Sequence, residues 1–461
     1  MSVLCNIEAV NLDSMLSDCQ DLSTIRGGGL AVLNIATDVE AKLIADGVCC
    51  EVISGSASQG LLEVFDVTWT KTEELVRGAI EDLPLLEYAT VMVSAMDYDP
   101  ARFGEQRAEL KARNRWLQMQ TRSVVYPELL SDRVCNIDRV RPATPRPDLP
   151  EKQWQSDFTF ERRRLGKERK RGILREILGI DSEVVADLNE LGGASKKYGN
   201  LMDKIAVLKF DGNNFGKISD KCDPDQLKAF SRDVRGQHEQ FFRNLVPSDT
   251  PRDGPWFTPE GKLRLEMLIY GGDEIAFIVP AWLGWKALEC FMNHCAPLVP
   301  VAGLPMTYSG GLVFCHSNTP IHAVRDLAGR LADEAKHRVP DKGNYAAYQV
   351  LESFDAIGRD VGAFLDERLG PWDKKEDRWK GVVLEPRHVA ALGSGMAEWR
   401  GVISRRKLHR EAYGARGRDI MERGSDAPEG LKALLNDGAL GSGALIHLLE
   451  LWDYVAPEVG Q

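Results

Sequence analysis

Two stretches decide how this chain is read: KIAVLKFDGNNFGK (Lys204–Lys217) and MLIYGGDEIAFIV (Met267–Val279). Ile205–Phe210 is an unbroken run of β-formers, and Asp211 stands where it ends. Met267–Tyr270 and Ile275–Val279 predict two short strands, with Gly271-Gly272 making the tight turn and Asp273-Glu274 just past its tip. If the two elements pair side by side, three carboxylates converge on one sheet edge. Divalent metals and a nucleoside triphosphate need such a set of hard oxygen donors.

The surrounding pattern extends this unit. The expected order is strand (205–210), helix (224–245), strand (263–270), turn, strand (275–279), helix (281–296), strand (306–315), helix (320–338) and strand (345–350). A β-α-β-β-α-β order is the ferredoxin-like arrangement, the palm of polymerases and nucleotide cyclases. The first 125 residues predict a second, smaller α+β unit. Its strand candidates are Leu30–Ile35, Glu51–Ser54, Leu61–Val67 and Thr90–Met96, with helices at Val39–Gly47, Glu73–Leu83 and Arg102–Gln120. Residues 126–185 are rich in proline and arginine and lead into a basic helix at 160–178. Beyond 360 the strand signals fade into helices separated by glycine-containing loops.

Composition bounds the function. At 461 residues the chain is too long for one ordinary core, so about three domains are expected. No apolar run reaches about 18 residues, so no membrane span is expected, and the first residues lack the pattern of a secretory signal. Nine irregularly spaced cysteines fit a reducing cytoplasm better than a disulfide framework. A net charge of −11 argues against a whole surface given to nucleic acid. Arg162–Arg171 (RRRLGKERKR) and Arg400–Arg410 (RGVISRRKLHR) are locally basic. Each reads either as a solvated helix face or as a site for phosphate or RNA backbone.

Each candidate residue has a plain alternative. Asp211 caps or turns a strand as readily as it binds metal. Asp273 and Glu274 would face opposite ways in a strict strand, a constraint the turn relaxes. The Gly212–Lys217 loop offers backbone N–H groups for phosphates, with Lys217 adding charge or simply sitting in solvent. Ala323, Leu327, Leu331 and Ala335 mark one buried helix face. Lys336 near that helix's end reaches toward triphosphate oxygens or complements the helix dipole. His316 and His322 read as ordinary histidines rather than ligands.

The constellation resembles the palm of the large subunit of type III CRISPR effector complexes and, more distantly, the GGDEF diguanylate cyclases. Four blocks match in order: VLKFDGNNFGK, LIYGGDEIAFIVP, TYSGGLVFCHSNTPIHAVRDLAGRLADEAK and KGNY. DLSTIRGGGLAVLN (Asp21–Asn34) is similar to a segment of that family's first, non-catalytic palm. CNIDRVRPA (Cys135–Ala143) resembles its inter-palm zinc ribbon, and ISRRKLHR (Ile403–Arg410) its C-terminal helical domain.

The resemblance implies an α+β chain with two ferredoxin-like palms. Residues 1–125 would be the non-catalytic palm, 126–199 a degenerate zinc-ribbon-like insertion, 200–355 the catalytic palm and 356–461 a helical domain. Asp211, Asp273 and Glu274 would hold two Mg²⁺ or Mn²⁺ ions. Gly212, Asn213, Asn214, Phe215, Gly271, Gly272, Lys336 and Asn344 would contact nucleotide, and the first palm would bind the acceptor nucleotide opposite the catalytic one, with Ile25–Gly29 lining it. Asn213 stands where the family has a second aspartate, and Glu274 replaces the second aspartate of GGDD. With Cys135 the one cysteine of its segment, zinc is not expected. No His-Asp dipeptide occurs, so DNA cleavage by an HD nuclease is not expected. The implied activity is synthesis of cyclic or linear oligonucleotide messengers from ATP in antiviral defence. A GTP-using dinucleotide cyclase and a nucleotide-binding scaffold without turnover are the alternatives. Implied partners are nucleoside triphosphates, RNA or effector-complex subunits, and further copies of the chain, in the cytoplasm.

Overall fold

The structure is a computed structural model, and it describes residues 1–16, 18–56, 58–120, 133–146, 153–193, 196–294, 303–339, 343–352, 360–369, 383–402, 404–413 and 443–455. Parts of the expected insertion (126–132, 147–152), Lys342 of KGNY and Ile403 of the basic tail segment lie outside them.

The chain opens with β1 (Ser2–Val10), α1 (Asp13–Leu16), α2 (Leu22–Leu33) and α3 (Ile35–Ala45). There follow β2 (Cys50–Ser56), β3 (Gln59–Phe65), α4 (Trp69–Glu81), β4 (Thr90–Asp97) and α5 (Phe103–Gln120). The sheet order is β2-β3-β1-β4, every neighbouring pair antiparallel. Alternation along β1 sends Val3, Cys5 and Ile7 against Val39, Leu43, Val76 and Ile80, while Leu4 faces Ile53, Leu61, Phe103 and Leu110.

One strand expectation is corrected here. Leu30–Ile35 closes α2 and opens α3. Asp21 caps α2, its carboxylate accepting the Thr24 N–H at 2.9 Å. The three glycines before Leu30 serve a helix crossing. A Cβ on Gly27 would come within 1.8 Å of the Arg162 carbonyl oxygen. Local propensity is a weak prior, and tertiary contact decided this segment. The strand that fills the sheet's centre is β1, which the sequence reading passed over.

The middle of the chain holds β5 (Thr144–Pro145), β6 (Trp154–Gln155), α6 (Asp157–Leu178) and α7 (Leu188–Gly192). Cys135 is a free, buried thiol. Its loop is held by Asp138. The Asp138 carboxylate accepts the N–H groups of Val140 and Arg141, both at 2.9 Å, and the Thr159 hydroxyl at 2.5 Å. Burial pushes this carboxyl up. The bonds from Thr159, Arg141 and Val140 and the Arg141 charge outweigh that and hold it below the ordinary range. Its stabilisation is therefore present near neutrality and lost as pH falls through the lowered folded value. Asp138→Ala is expected to cost roughly 3 kcal/mol, because it leaves the buried Thr159 hydroxyl and the Val140 and Arg141 N–H groups without their acceptor, although the Arg141 guanidinium keeps Asp18. Thermal melts of the variant check this.

The second sheet is built from β7 (Lys204–Asn213), α8 (Phe215–Lys221), α9 (Pro224–Leu245), β8 (Glu266–Gly271), β9 (Glu274–Pro280), α10 (Ala281–His294), β10 (Thr307–His316), α11 (Ile321–His337) and β11 (Tyr345–Val350). Its order is β11-β10-β7-β9-β8, with β11 parallel to β10 and the other pairs antiparallel. Four of these strands repeat the first sheet's topology, α11 follows β10 as α5 follows β4, and β11 is an addition. Asp223 and Gln226 form a capping box at the start of α9, with Pro224 at the first helical position. Its face of Leu227, Phe230, Val234, Phe241 and Leu245 packs on the sheet, where Phe210 stacks on Phe291 at 3.6 Å. Each fully buried phenylalanine stabilises by about 1.5–3 kcal/mol. Helices α12 (Val361–Leu369), α13 (Pro386–Val402), α14 (Arg405–Tyr413) and α15 (Gly443–Glu450) follow. No helix among the described residues is long and apolar enough to cross a membrane.

Candidate active site

The register of the second sheet sets out the carboxylates. Asp211 on β7 lies directly opposite Glu274 on β9 and Ser309 on β10. Gly271 pairs with Glu274, so Gly272 and Asp273 form a two-residue hairpin turn. Gly272 has φ of 61° and Asp273 has no positive φ, the pattern of a type II′ turn, which calls for glycine first. The Asp273 carbonyl accepts the Gly212 N–H at 3.0 Å, which locks the turn tip to the end of β7. A Cβ on Gly212 would meet the Phe215 ring at 2.7 Å and the Asp273 Cβ at 2.8 Å. Only glycine lets the two strand ends come this close.

Two lysines answer two of the carboxylates. Lys336, in the last turn of α11, donates to Asp211 Oδ2 at 2.5 Å and to the Gly212 carbonyl at 3.3 Å. Lys209 Nζ lies 2.7 Å from Glu274 Oε1. Among the described residues no lysine or arginine pairs with Asp273. Burial, then the nearby Asp211 charge, push its carboxyl up to about 6, with Glu274 adding and Lys336 opposing. The convergence expected of the three carboxylates is therefore partial. Asp211 and Glu274 are cross-strand neighbours, each turned to its own lysine, while Asp273 is coupled to both by charge. Among the described residues no group of three or more His, Cys, Asp or Glu side chains is gathered as a ready metal cage. The donor chemistry nonetheless fits Mg²⁺ or Mn²⁺. All three are hard carboxylate donors, and a cation would relieve the repulsion that raises Asp273.

The remaining candidates are placed as follows. Asn213 is 3% exposed. Its Nδ2 donates to Thr307 Oγ1 at 3.1 Å and the Gly343 carbonyl at 3.3 Å, and its Oδ1 accepts the Ser309 hydroxyl at 2.9 Å. It ties β7 to β10 and to the loop before β11. Asn214 takes the left-handed conformation (φ 60°) that opens α8. The Phe215 ring is buried between Phe230 and Tyr308, at 5.4 and 5.2 Å. Asn344 accepts the Tyr308 N–H at 2.8 Å. Lys217 is exposed.

Sequence reasoning missed the cavity beside this turn, of about 490 Å³, within the usual range for small-molecule sites. It runs along β8 from Met267 to Glu274 and is closed by residues of α2, α6, α9 and the first sheet, among them Arg26, Lys170, His238 and Gln59. Of the expected IRGGG lining, Arg26 and Gly29 face it. His238 bonds the Tyr308 hydroxyl at 3.1 Å, and burial lowers it to about 3, so it is neutral. Its place on the apolar face of α9 was a signal available in the sequence.

The first sheet offers an internal comparison. Glu8 pairs with Gln59 and Met92 as Asp211 pairs with Glu274 and Ser309. Gln59 donates to Glu8 at 3.5 Å, and Ser58 stands where the second hairpin has Asp273. The first sheet thus carries one carboxylate where the second carries three.

Residues 204–346 match the family model described as Cas10/Cmr2, second palm domain. No curated protein sequence matches the chain. Among solved structures, the apo Csm1–Csm4 cassette is 13% identical over 98% of this chain and 70% of that chain, with a TM-score of 0.58. The Csm1–Csm4 cassette in complex with AMPPNP gives the same identity and coverage with a TM-score of 0.56. Csm1 of T.onnurineus is 14% identical over 98% and 69% of the two chains, with a TM-score of 0.56. The chain is similar to the large palm-domain subunit of type III CRISPR effector complexes, and at these identities the solved structures speak for the fold.

Proposed function

We propose that this chain is a metal-dependent nucleotidyltransferase that joins ATP into cyclic or linear oligonucleotide messengers in antiviral defence, releasing pyrophosphate. The observation that carries the reading is the charge-coupled pair Asp211 and Asp273, on adjacent strand ends at one end of a nucleotide-sized cavity. Residues 200–355 are read as the catalytic palm and 1–125 as its non-catalytic counterpart. The stretches 126–199 and 356–461 are read as insertion and helical domain. That solved relatives hold AMPPNP and pair with Csm4 supports nucleotide binding and a place in an RNA-guided effector complex.

Asp211, Asp273 and Glu274 would hold two Mg²⁺ or Mn²⁺ ions, which when bound lower the pKa of an attacking 3′-hydroxyl and neutralise the triphosphate. Lys336 holds Asp211 while the site is free and is placed to turn to triphosphate oxygens. Gly271 at the end of β8 and Gly272 in the turn let the substrate approach the backbone closely. Asp273 must be ionised to bind a cation. With its carboxyl raised to about 6, Mn²⁺ affinity is expected to fall as pH drops from 7 to 5, approaching tenfold per unit below 6. Calorimetric titration across that range checks this.

Glu274 favours GTP by its likeness to GGDE-type cyclases, and the engagement of Asn213 favours a scaffold without turnover. Supplying each of the four triphosphates separately and identifying products by mass spectrometry tests the reading. Adenylate oligomers support it, guanylate dinucleotides support the GTP enzyme, and no product with any triphosphate or partner subunit sinks both.

A further inference from the structure

Lys209 and Asp211 lie two residues apart on β7, so their side chains leave the same face of the sheet. Glu274 stands opposite Asp211 on β9 and shares that face. Helix α11 covers it closely. A Cβ on Gly311, the partner of Lys209 on β10, would come within 1.9 Å of the Ala328 carbonyl oxygen. Lys209 runs in the space between this helix and β9. A Cβ on Gly329 of α11 would sit 3.3 Å from Lys209 Nζ and 3.5 Å from its Cδ. Glycine is a poor helix former, and here it leaves room for the lysine. The ammonium ends 2.7 Å from Glu274 Oε1, with the two side chains 25% and 34% exposed. Lys336, in the last turn of the same helix, holds Asp211. Two lysines on one helix-covered face thus neutralise two of the three carboxylates.

We infer that Lys209 is a positioning residue of the metal site, an internal counter-ion that holds Glu274 at the sheet face and competes with a divalent cation for it. This role rests on the metal-binding part of the reading above. Without Lys209, Asp211, Asp273 and Glu274 would bring three negative charges to one strand end against the single charge of Lys336. Like charges so close destabilise the fold and each other's ionised form. With Lys209 in place, Asp273 is the carboxylate open to a cation from the start. Glu274 must leave its ammonium before it can give its charge to a metal. A partly exposed ion pair is weak enough for that exchange, and strong enough to set the cation concentration at which it happens.

The test titrates Mn²⁺ into the full-length protein by calorimetry, after treatment with a chelator and without nucleotide. Lys209→Met should bind Mn²⁺ about fivefold more tightly than wild type, because the competing ammonium is gone. Lys209→Gln should show the same gain, which keeps the test open if the methionine variant folds poorly. Lys209→Arg keeps the cation and should stay near wild type. In a Glu274→Gln background Lys209→Met should change the affinity little, since the carboxylate it restrains has lost its charge. Lys221→Met removes an exposed charge at the end of α8 and should bind as wild type does. A lysine with a merely structural role would lower the melting temperature and would not tighten Mn²⁺ binding. Unchanged or weaker binding by Lys209→Met and Lys209→Gln, or an equal gain in the Glu274→Gln background, overturns the inference. If the gain appears yet no triphosphate is turned over, the counter-ion stands and the nucleotidyl-transfer reading falls. If product forms but Mn²⁺ affinity is indifferent to Lys209, the reverse holds.

Discussion

Asp273→Asn is expected to abolish oligonucleotide synthesis, by at least about 10²–10³-fold, and to raise the melting temperature of the same protein. Both effects come from one arrangement. The carboxylate sits at the tip of the β8–β9 turn, largely buried, with Asp211 and Glu274 beside it, and is pushed up to about 6. An ionised group held there at neutral pH costs stability, of order 1–3 kcal/mol allowing for its partial contact with water. Asparagine keeps the shape and removes the charge. The sign can be checked against pH. A carboxyl raised in the folded state binds a proton more readily there than in the unfolded chain. Its unfavourable contribution is complete above pH 6 and vanishes below the ordinary carboxylate range. The variant's advantage in Tm should therefore be largest at pH 7 and shrink toward pH 4. A variant that melts lower than wild type at pH 7 would contradict this account of the site's electrostatics.

Gly212→Ala should lose activity on the order of 10²-fold although it removes no charge and no ligand, since a small misplacement of reacting groups suffices. The added Cβ would sit 2.7 Å from the Phe215 ring and 2.8 Å from the Asp273 Cβ. Neither neighbour can yield freely. Phe215 is wedged between Phe230 and Tyr308, and the Asp273 Cβ is the root of the carboxylate itself. Relief must open the β7–β9 strand ends and weaken the bond from Gly212 N–H to the Asp273 carbonyl. The cost in stability should be about 1–3 kcal/mol. Gly236, exposed on α9 with open space about its Cα, is the control. There alanine should stabilise slightly, by about 0.5–1 kcal/mol. Equal behaviour of the two variants would show that close approach at Gly212 does not govern the site.

The sequence announced β7, the β8–β9 hairpin and α9 through α11 because each carries its own signal. These are an apolar run closed by a polar residue, a glycine turn and a 3.6-residue stripe. Leu30–Ile35 misled because β-branched and aliphatic residues suit strand and helix alike. The helix was decided by Asp21 at one end and by the Gly27 crossing with α6, a contact 135 residues away in sequence (162 − 27). The pairing of Lys209 with Glu274 follows from register, which appears only once strands are laid side by side. The cavity was not legible at all. Arg26, Lys170 and Tyr270 come from three distant segments, and no local pattern ties them together. The bonds that Asp138 makes to Thr159 and Arg141 were not legible either.

The central claim is that Asp211 and Asp273 make a working nucleotidyl-transfer site. Pyrophosphate release from ATP by the full-length protein, with its complex partners where needed, tests it most directly when Mg²⁺ or Mn²⁺ is titrated. The account expects release that depends on the metal, and that is lost in both Asp211→Ala and Asp273→Ala. Release that persists in either variant, or none from wild type at any metal concentration, would contradict it.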